Sequence, residues 1–139
     1  MQRDLLIEQI TRHEGVRLKP YTDTTGHLTI GIGRNLSSKG ITLEEAKHLL
    51  NNDVDEAIKE CFAVLPWFRA LDTIRQAVIT ELVFNMGMRT FLTFKNTIAA
   101  IERRDYKAAG EGLRNSKWYQ DVKANRGDKI ISQLTSGLW

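Results

Sequence analysis

Cysteine, proline and long hydrophobic runs are scarce in this chain of 139 residues. The single cysteine, Cys61, excludes an internal disulfide, which suits a protein that folds in a reducing compartment. The N-terminus has no apolar stretch of signal-peptide length, and no later segment has the length of a membrane span. We therefore expect a protein that carries no export signal and does not associate stably with a membrane.

The sequence lacks the residue patterns of several common kinds of site, namely nucleophilic, metal-binding and nucleotide-binding sites. No serine or cysteine stands in a G-x-S-x-G elbow, and the three histidines lack metal-ligand spacing with each other or with Cys61. The stretch GIGRNL at 31–36 begins like a dinucleotide-binding loop. It has Leu36 where the third glycine belongs, however, and no Walker-type lysine follows it. We therefore expect no metal and no cofactor.

The charge is distributed unevenly along the chain. The formal net charge is +3, and residues 71–139 hold eleven basic and seven acidic side chains, whereas residues 41–70 are net acidic. A mildly basic half favours a polyanionic partner such as nucleic acid, an anionic membrane or an acidic glycan, although an ordinary solvated surface explains it equally well. No run of five like charges forms a basic tail.

The pattern of apolar and turn residues predicts an α+β fold with a mainly helical body. Residues 4–13 have Leu6, Ile10 and His13 on one side of a helix, and Thr24-Thr25-Gly26 is a turn signal between two extended runs. A capping box, Thr42-Leu43-Glu44-Glu45, opens a long helix that Pro66 ends. Further helices are predicted at about 73–86, 95–103, 106–115 and 126–135.

From its length the chain is expected to form one domain. We predict a small β-hairpin lobe at about 16–40, a linking helix at about 42–65, and a helical lobe made of about 1–14 plus 66–139. In this arrangement the β lobe lies near the N-terminus, and the long helix joins it to the helical lobe.

The stretch HLTIGIG at 27–33 alternates in the way that a half-buried strand does. Leu28, Ile30 and Ile32 are expected to face a core, with Thr29, Gly31 and Gly33 on the other face. Two glycines on one face would let a substrate approach the backbone closely. The alternative is that one or both glycines adopt a positive φ at a bulge.

Two carboxylates remain as candidates for acid–base chemistry. Glu14 stands at the end of the first helix, where the helix dipole disfavours an ionised carboxylate by about 0.3–1 kcal/mol. Asp23 stands in a threonine-rich turn, where ionisation is easy. Two carboxylates in such different environments suit glycoside hydrolysis. By position alone, a surface acid and a turn former explain the same residues.

The stretch HEGVRLKPYTDTTGHLTIGIGRNL resembles the phage-type lysozymes, the endolysin muramidases of glycoside hydrolase family 24. That family has a glutamate, eight residues, an aspartate, five residues and a threonine, which here are Glu14, Asp23 and Thr29. Similarity continues in order through DEA at 55–57, VFNMG at 83–87, and SKWYQ and NRGDKII further on.

The resemblance implies hydrolysis of the β-1,4 bond between N-acetylmuramic acid and N-acetylglucosamine in peptidoglycan. Glu14 would protonate the leaving oxygen, Asp23 would activate the water or stabilise charge, and Thr29 would hold the water. The family is regarded as inverting, for which two carboxyl groups stand roughly 6.5–9.5 Å apart.

The resemblance also implies residues that bind the glycan. Phe84 and Asn85 match residues that line the cleft, and Thr97 matches a weaker sugar contact. Arg126 matches an arginine near the acid. Gly31 and Gly33 are added from the strand pattern.

The chain departs from the family at three positions. Arg34 stands where some members have histidine, and His13 where some have aspartate, so ion pairs of those members are not carried over. Asn35 replaces an apolar sugar contact of some members.

The family also implies the biological setting. We expect a monomer that acts on glycan strands in the periplasm, after a separate protein has opened the host membrane and released it from the cytoplasm. Phage, prophage and engineered origins would look alike in the sequence.

Two readings from other classes stay open. One is a small basic DNA-binding protein with a helix-turn-helix within 73–135, although no pair of helices has a basic recognition face, and Trp118 and Tyr119 suit a core. The other is a wall-binding module without catalysis, against which the intact Glu14, Asp23 and Thr29 argue.

Overall fold

The computed structural model describes residues 1–139, apart from the side chain of Ala124. The chain divides into two compact units, Met1–Leu49 and Leu50–Trp139. The N-terminal helix and the sheet belong to the first unit, and the predicted lobe boundaries stay a prediction. The α+β class with a small N-terminal sheet and a helical remainder is confirmed.

The first unit begins with helix α1 (Arg3–Glu14), followed by strands β1 (Arg17–Thr22), β2 (Leu28–Gly31) and β3 (Arg34–Asn35). The strands form an antiparallel sheet in the order β1-β2-β3. Pro20 lies within the irregular stretch of β1, between the register of Arg17 with Gly31 and that of Tyr21 with Thr29. Proline has no N–H to donate, so it is tolerated where the ladder is interrupted.

The prediction of a strand over 27–33 is wrong about where the strand ends and about which side chains it buries. β2 ends at Gly31, and the chain reverses through Ile32 and Gly33 so that Ile30 pairs with Arg34. Leu28 and Ile32, which were expected to face a core, are exposed, whereas Thr29 is 3% exposed. Alternation describes a straight strand, whereas here a tight turn ends the strand, and Gly31 and Gly33 both have positive φ.

The long helix α2 (Leu43–Val64) begins as the capping box predicts. The Glu45 N–H donates to Thr42 Oγ1 at 3.1 Å, and the Thr42 N–H donates to Glu45 Oε1 at 2.9 Å. Two backbone donors that have no partner inside the helix are thereby satisfied. The helix begins in the first unit and continues into the second.

Helices make up the second unit. A short 3-10 helix at Phe68–Ala70 is followed by α3 (Thr73–Met86), α4 (Met88–Phe91), α5 (Lys95–Glu102), α6 (Tyr106–Arg114), α7 (Lys117–Asp121) and α8 (Ala124–Ser136). Asp72 caps α3 by accepting from the Arg75 N–H at 3.1 Å, and Gly87 ends it at φ 83°. The four predicted helices are confirmed within two residues at each end, whereas α4, α7 and the 3-10 helix were not predicted.

A continuous apolar core fills the second unit. Its fully buried side chains include Phe68, Ile79, Leu82, Phe91 and Leu134, and Trp118 belongs to this core as the sequence predicts. Among the described residues, no helix combines the length and the apolar character that a membrane span requires.

Candidate active site

Glu14 is the last residue of α1 and is exposed. The helix stops there because Gly15, at φ 73°, turns the chain and donates its N–H to the Thr11 carbonyl at 2.9 Å. The Glu14 carboxylate accepts no hydrogen bond from the described residues. Its oxygens are therefore available to water or to a substrate.

Gly33 lies directly against the Glu14 carboxylate. A Cβ atom built on Gly33 would stand 2.8 Å from Glu14 Oε2 and 2.9 Å from Cδ. Gly33 also has φ +71°, a conformation that side chains rarely adopt. The turn after β2 thus brings its backbone to the candidate acid, and any larger residue at position 33 would displace the carboxylate.

Gly31 has φ +72°, and a Cβ there would meet nothing within 4 Å. At this position the backbone conformation favours glycine, whereas the surrounding space would accommodate a side chain. Both glycines therefore follow the alternative of positive φ. Their contact with substrate stays a prediction.

Asp23 is fixed by a tight turn between β1 and β2. Its Oδ1 accepts from the His27 N–H at 2.8 Å, the Thr25 N–H at 2.9 Å and the Thr25 hydroxyl at 2.9 Å. The His27 N–H, followed by the Thr25 hydroxyl, lowers the pKa of Asp23 below its ordinary value. The turn therefore holds Asp23 ionised, which is the direction that the threonine-rich sequence predicts.

The second oxygen of Asp23 has no such partners. Oδ2 accepts no hydrogen bond from the described residues, and the side chain is 32% exposed. One oxygen of the carboxylate is thus used by the turn, and the other is open to water or substrate.

Thr29 lies in the middle strand of the sheet, where it pairs with Tyr21 and Asn35. Its hydroxyl donates to the His27 carbonyl at 3.0 Å, and the same carbonyl accepts from the Asp23 N–H at 2.9 Å. The His27 backbone therefore connects Asp23 and Thr29. A hydroxyl that donates its only proton to a carbonyl still has lone pairs that can accept. Because Thr29 is 3% exposed, a water would need access to this hydroxyl, and the holding of a water by Thr29 stays a prediction.

Sequence reasoning missed Thr25 and His27 as partners of Asp23. The available signal was the spacing Asp-x-Thr, because an aspartate side chain commonly accepts from the backbone two residues further on.

The three departures from the family take different places in the first unit. Arg34 donates to Glu45 Oε1 at 2.8 Å and to the Gly40 carbonyl at 3.2 Å, an ion pair that the sequence did not predict. The Arg34 guanidinium lowers the pKa of Glu45 to about 2. Asn35 Oδ1 accepts from the Ser38 N–H at 3.1 Å, so it serves the polar connection. His13 is exposed near the end of α1.

The other predicted site residues belong to the second unit. Phe84 and Arg126 line an apolar groove of about 520 Å³, where Arg126 Nε donates to Glu81 Oε1 at 3.1 Å. Asn85 lines a different pocket and accepts from Trp118 Nε1 at 2.9 Å. The structure thus brings Phe84 and Arg126 together and directs Asn85 elsewhere.

Thr97 is 3% exposed, and its hydroxyl lies against Gly112. A sugar contact would need this hydroxyl to become accessible, and it stays a prediction. Among the described residues, no three histidine, cysteine, aspartate or glutamate side chains are grouped so that they could hold a metal ion.

Comparison with known proteins identifies the family of the chain. The family model "Phage lysozyme" matches residues 11–135. The chain is 31% identical to "Probable T4-type lysozyme 1" of Dictyostelium discoideum, over 89% of each protein. It is 29% identical to "Endolysin" of Salmonella phage P22, over 77% of each.

A third relative is much longer than this chain. The chain is 29% identical to the "Pre-baseplate central spike protein Gp5" of Enterobacteria phage T4, over 96% of the chain but 28% of that protein. The match with the family model extends over most of the chain. The chain therefore belongs to the phage lysozyme family.

Proposed function

We propose that Glu14, Asp23 and Thr29 are the catalytic residues of this chain. As a member of the phage lysozyme family, the chain is a glycoside hydrolase that acts on bacterial peptidoglycan. The bond that a muramidase cleaves is the β-1,4 bond between N-acetylmuramic acid and N-acetylglucosamine. What remains to be assigned is the role of each residue.

The observation that carries the assignment is the contrast between the two carboxylates. Asp23 Oδ1 receives three hydrogen bonds that keep the group ionised, whereas Glu14 receives none from the described residues. Hydrolysis of a glycoside needs one carboxylic acid and one carboxylate. We assign the acid to Glu14 and the carboxylate to Asp23.

In the proposed reaction, Glu14 gives its proton to the glycosidic oxygen as the bond from that oxygen to the anomeric carbon breaks. A water held by Thr29 attacks the anomeric carbon, which carries oxocarbenium-like charge, from the opposite face. Asp23 Oδ2 takes the proton that the water loses. The new hydroxyl then stands on the opposite face, so the configuration is inverted.

Residues of the second unit are proposed to bind the glycan. Phe84 and Arg126 line one groove and offer an apolar ring and a cation to a sugar, and Asn85 offers an amide. Gly31, Gly33 and Thr97 are weaker candidates for substrate contacts, since each has a structural reason for its conformation or burial.

The proposed setting follows the endolysin relatives. The protein would act as a monomer on glycan strands of the periplasmic cell wall, without a cofactor and without nucleic acid. It would leave the host cytoplasm when a separate protein opens the membrane. Lysis of permeabilised Gram-negative cells, with intact cells left unlysed, tests this setting.

A double-mutant cycle tests the shared water. Asp23→Ala and Thr29→Ala should each reduce kcat more than they change KM, and the double variant should lose little beyond the worse single variant. The product should be the α-anomer when it is observed by proton NMR before mutarotation. Additive losses, or a β-anomer, would contradict the proposed roles.

A further inference from the structure

Two side chains in the turn at 23–27 form a hydrogen-bonded chain that ends on the Asp23 carboxylate. Thr25 Oγ1 lies 2.9 Å from Asp23 Oδ1 and 2.7 Å from His27 Nδ1. The distance from His27 Nδ1 to Asp23 Oδ1 is 3.8 Å, which is too long for a hydrogen bond. The imidazole therefore reaches the carboxylate through the Thr25 hydroxyl.

The number of protons on each group determines which group donates in each of these hydrogen bonds. The ionised carboxylate can only accept, and the Thr25 hydroxyl has one proton, so that proton is donated to Oδ1. Thr25 Oγ1 then accepts, and His27 Nδ1 must carry the proton that it donates. His27 therefore holds a proton on Nδ1 in both its neutral and its cationic form.

The hydroxyl adds something that the two backbone donors do not supply. The N–H groups of Thr25 and His27 attract Oδ1 to one side, but the terminal torsion of an aspartate is broad, so a range of rotation about the Cβ–Cγ bond is left. Both carboxylate oxygens turn together about this bond. A third donor, itself held by the imidazole, restricts that rotation. The direction of Oδ2 is then fixed as well.

We propose that Thr25 and His27 are positioning residues that orient the Asp23 carboxylate so that Oδ2 receives the proton of the attacking water. This inference rests on the proposed function of Asp23. It extends that function to two residues that do not touch the substrate and act only through the carboxylate.

The turn offers matched variants. Thr25→Val removes the hydroxyl and keeps the backbone N–H, and Thr25→Ser restores the hydroxyl. His27→Phe removes the donor, and His27→Asn places an amide N–H near the position of Nδ1. Thr24→Val is the control, because Thr24 lies in the same turn and its hydroxyl makes no hydrogen bond with the described residues.

The experiment measures kcat, KM and the unfolding midpoint on soluble peptidoglycan fragments. Thr25→Val should lower kcat about tenfold, the factor that corresponds to one hydrogen bond to a charged group, with KM within about twofold. His27→Phe should lower kcat by a smaller factor. Thr25→Ser, His27→Asn and Thr24→Val should stay near the wild-type kcat.

The same substitutions are then made in the Asp23→Ala background, at enzyme concentrations that make the residual activity measurable. If Thr25 acts through Asp23, Thr25→Val should cause no further loss there. A loss of kcat that is equal in both backgrounds would overturn the proposal. If Thr25→Val unfolds, the pair His27→Phe and His27→Asn provides the same comparison.

Different results would refute the function of Asp23 and the positioning role of Thr25 and His27. A fully active Asp23→Ala variant would refute the proposed function of Asp23. An inactive Asp23→Ala variant together with wild-type kcat in Thr25→Val and His27→Phe would leave that function standing and overturn the positioning role.

Discussion

The unit Leu50–Trp139 buries a continuous set of apolar side chains, whereas in Met1–Leu49 the one described residue that is buried is the threonine Thr29. In the first unit, the apolar side chains of α1 and the sheet are exposed to varying degrees; Leu18, for example, is 84% exposed. The same chain thus builds one unit around a core and the other around polar contacts.

The first unit is organised by local hydrogen bonds. The turn at 23–27 converges on one carboxylate oxygen, the capping box starts α2, and Arg34 joins Glu45. Such contacts fix directions precisely and contribute modestly to stability, since a typical hydrogen bond contributes about 0.5–1.5 kcal/mol. The proposed acid and carboxylate therefore lie in the unit whose geometry depends on polar groups, whereas the packing that stabilises the fold is concentrated in the other unit.

The largest effect on stability is expected from the core of the second unit. Leu82→Ala, at a fully buried position, should reduce the free energy of unfolding by about 2–5 kcal/mol, because it removes packed methyl groups and leaves a cavity. Activity per folded molecule should be unchanged. Chemical denaturation measures this effect.

Leu5→Ala is the matched control in the first unit. Leu5 is 61% exposed, so the same substitution should change the free energy of unfolding by less than about 0.5 kcal/mol. Equal losses at the two positions would remove the contrast between the units.

An intermediate effect is expected at the two glycines after β2. Gly31→Ala and Gly33→Ala should each destabilise the protein by about 1–2 kcal/mol, because both have a left-handed conformation. Only Gly33→Ala should also reduce kcat, since its Cβ would displace the Glu14 carboxylate. Comparing kcat and unfolding in the two variants separates strain from site geometry, and equal kcat values would contradict that separation.

The smallest expected effect is the dependence of stability on acidic pH through Glu45. The pKa of Glu45 is about 2, below its ordinary 4.5, because Arg34 favours the ionised form. A depressed folded pKa means that the stabilisation is present above about pH 4.5 and is lost as the pH falls through about 2.

Carbon-13 NMR of the Glu45 carboxyl should therefore give a midpoint near 2, and Arg34→Gln should raise that midpoint. An ordinary Glu45 midpoint in the wild type would show that the ion pair does not persist in solution.

The sequence predicts those elements whose ends depend on local chemistry. Thr42 and Glu45 predict the start of α2, and Gly87 predicts the end of α3. Such caps can be recognised from sequence because their hydrogen bonds join residues within about four positions of each other. The helices α4 and α7 were not predicted because they are too short for apolar residues to recur with the 3.6-residue period of a helix. The faces of β2 were mispredicted because alternation assumes a core that the first unit does not have.

Some features of the candidate site can likewise be predicted from local sequence, whereas others depend on the fold. Glu14, Asp23 and Thr29 are found from a spaced motif, and the ionised state of Asp23 follows from its turn. The contact between Gly33 and Glu14 joins residues that are far apart in sequence and depends on how the turn after β2 folds. No local pattern could reveal it.

The most direct test of the central claim is Glu14→Gln, which keeps the shape of the side chain and removes the acid. Turnover should fall about 10²–10⁴-fold, while the unfolding midpoint stays equal or rises, because an ionised carboxylate is disfavoured at a helix C-terminus. Glu8→Gln, in the exposed pair of Glu8 with Arg12 on the same helix, should change neither measurably. Near-wild-type lysis by Glu14→Gln would contradict the account.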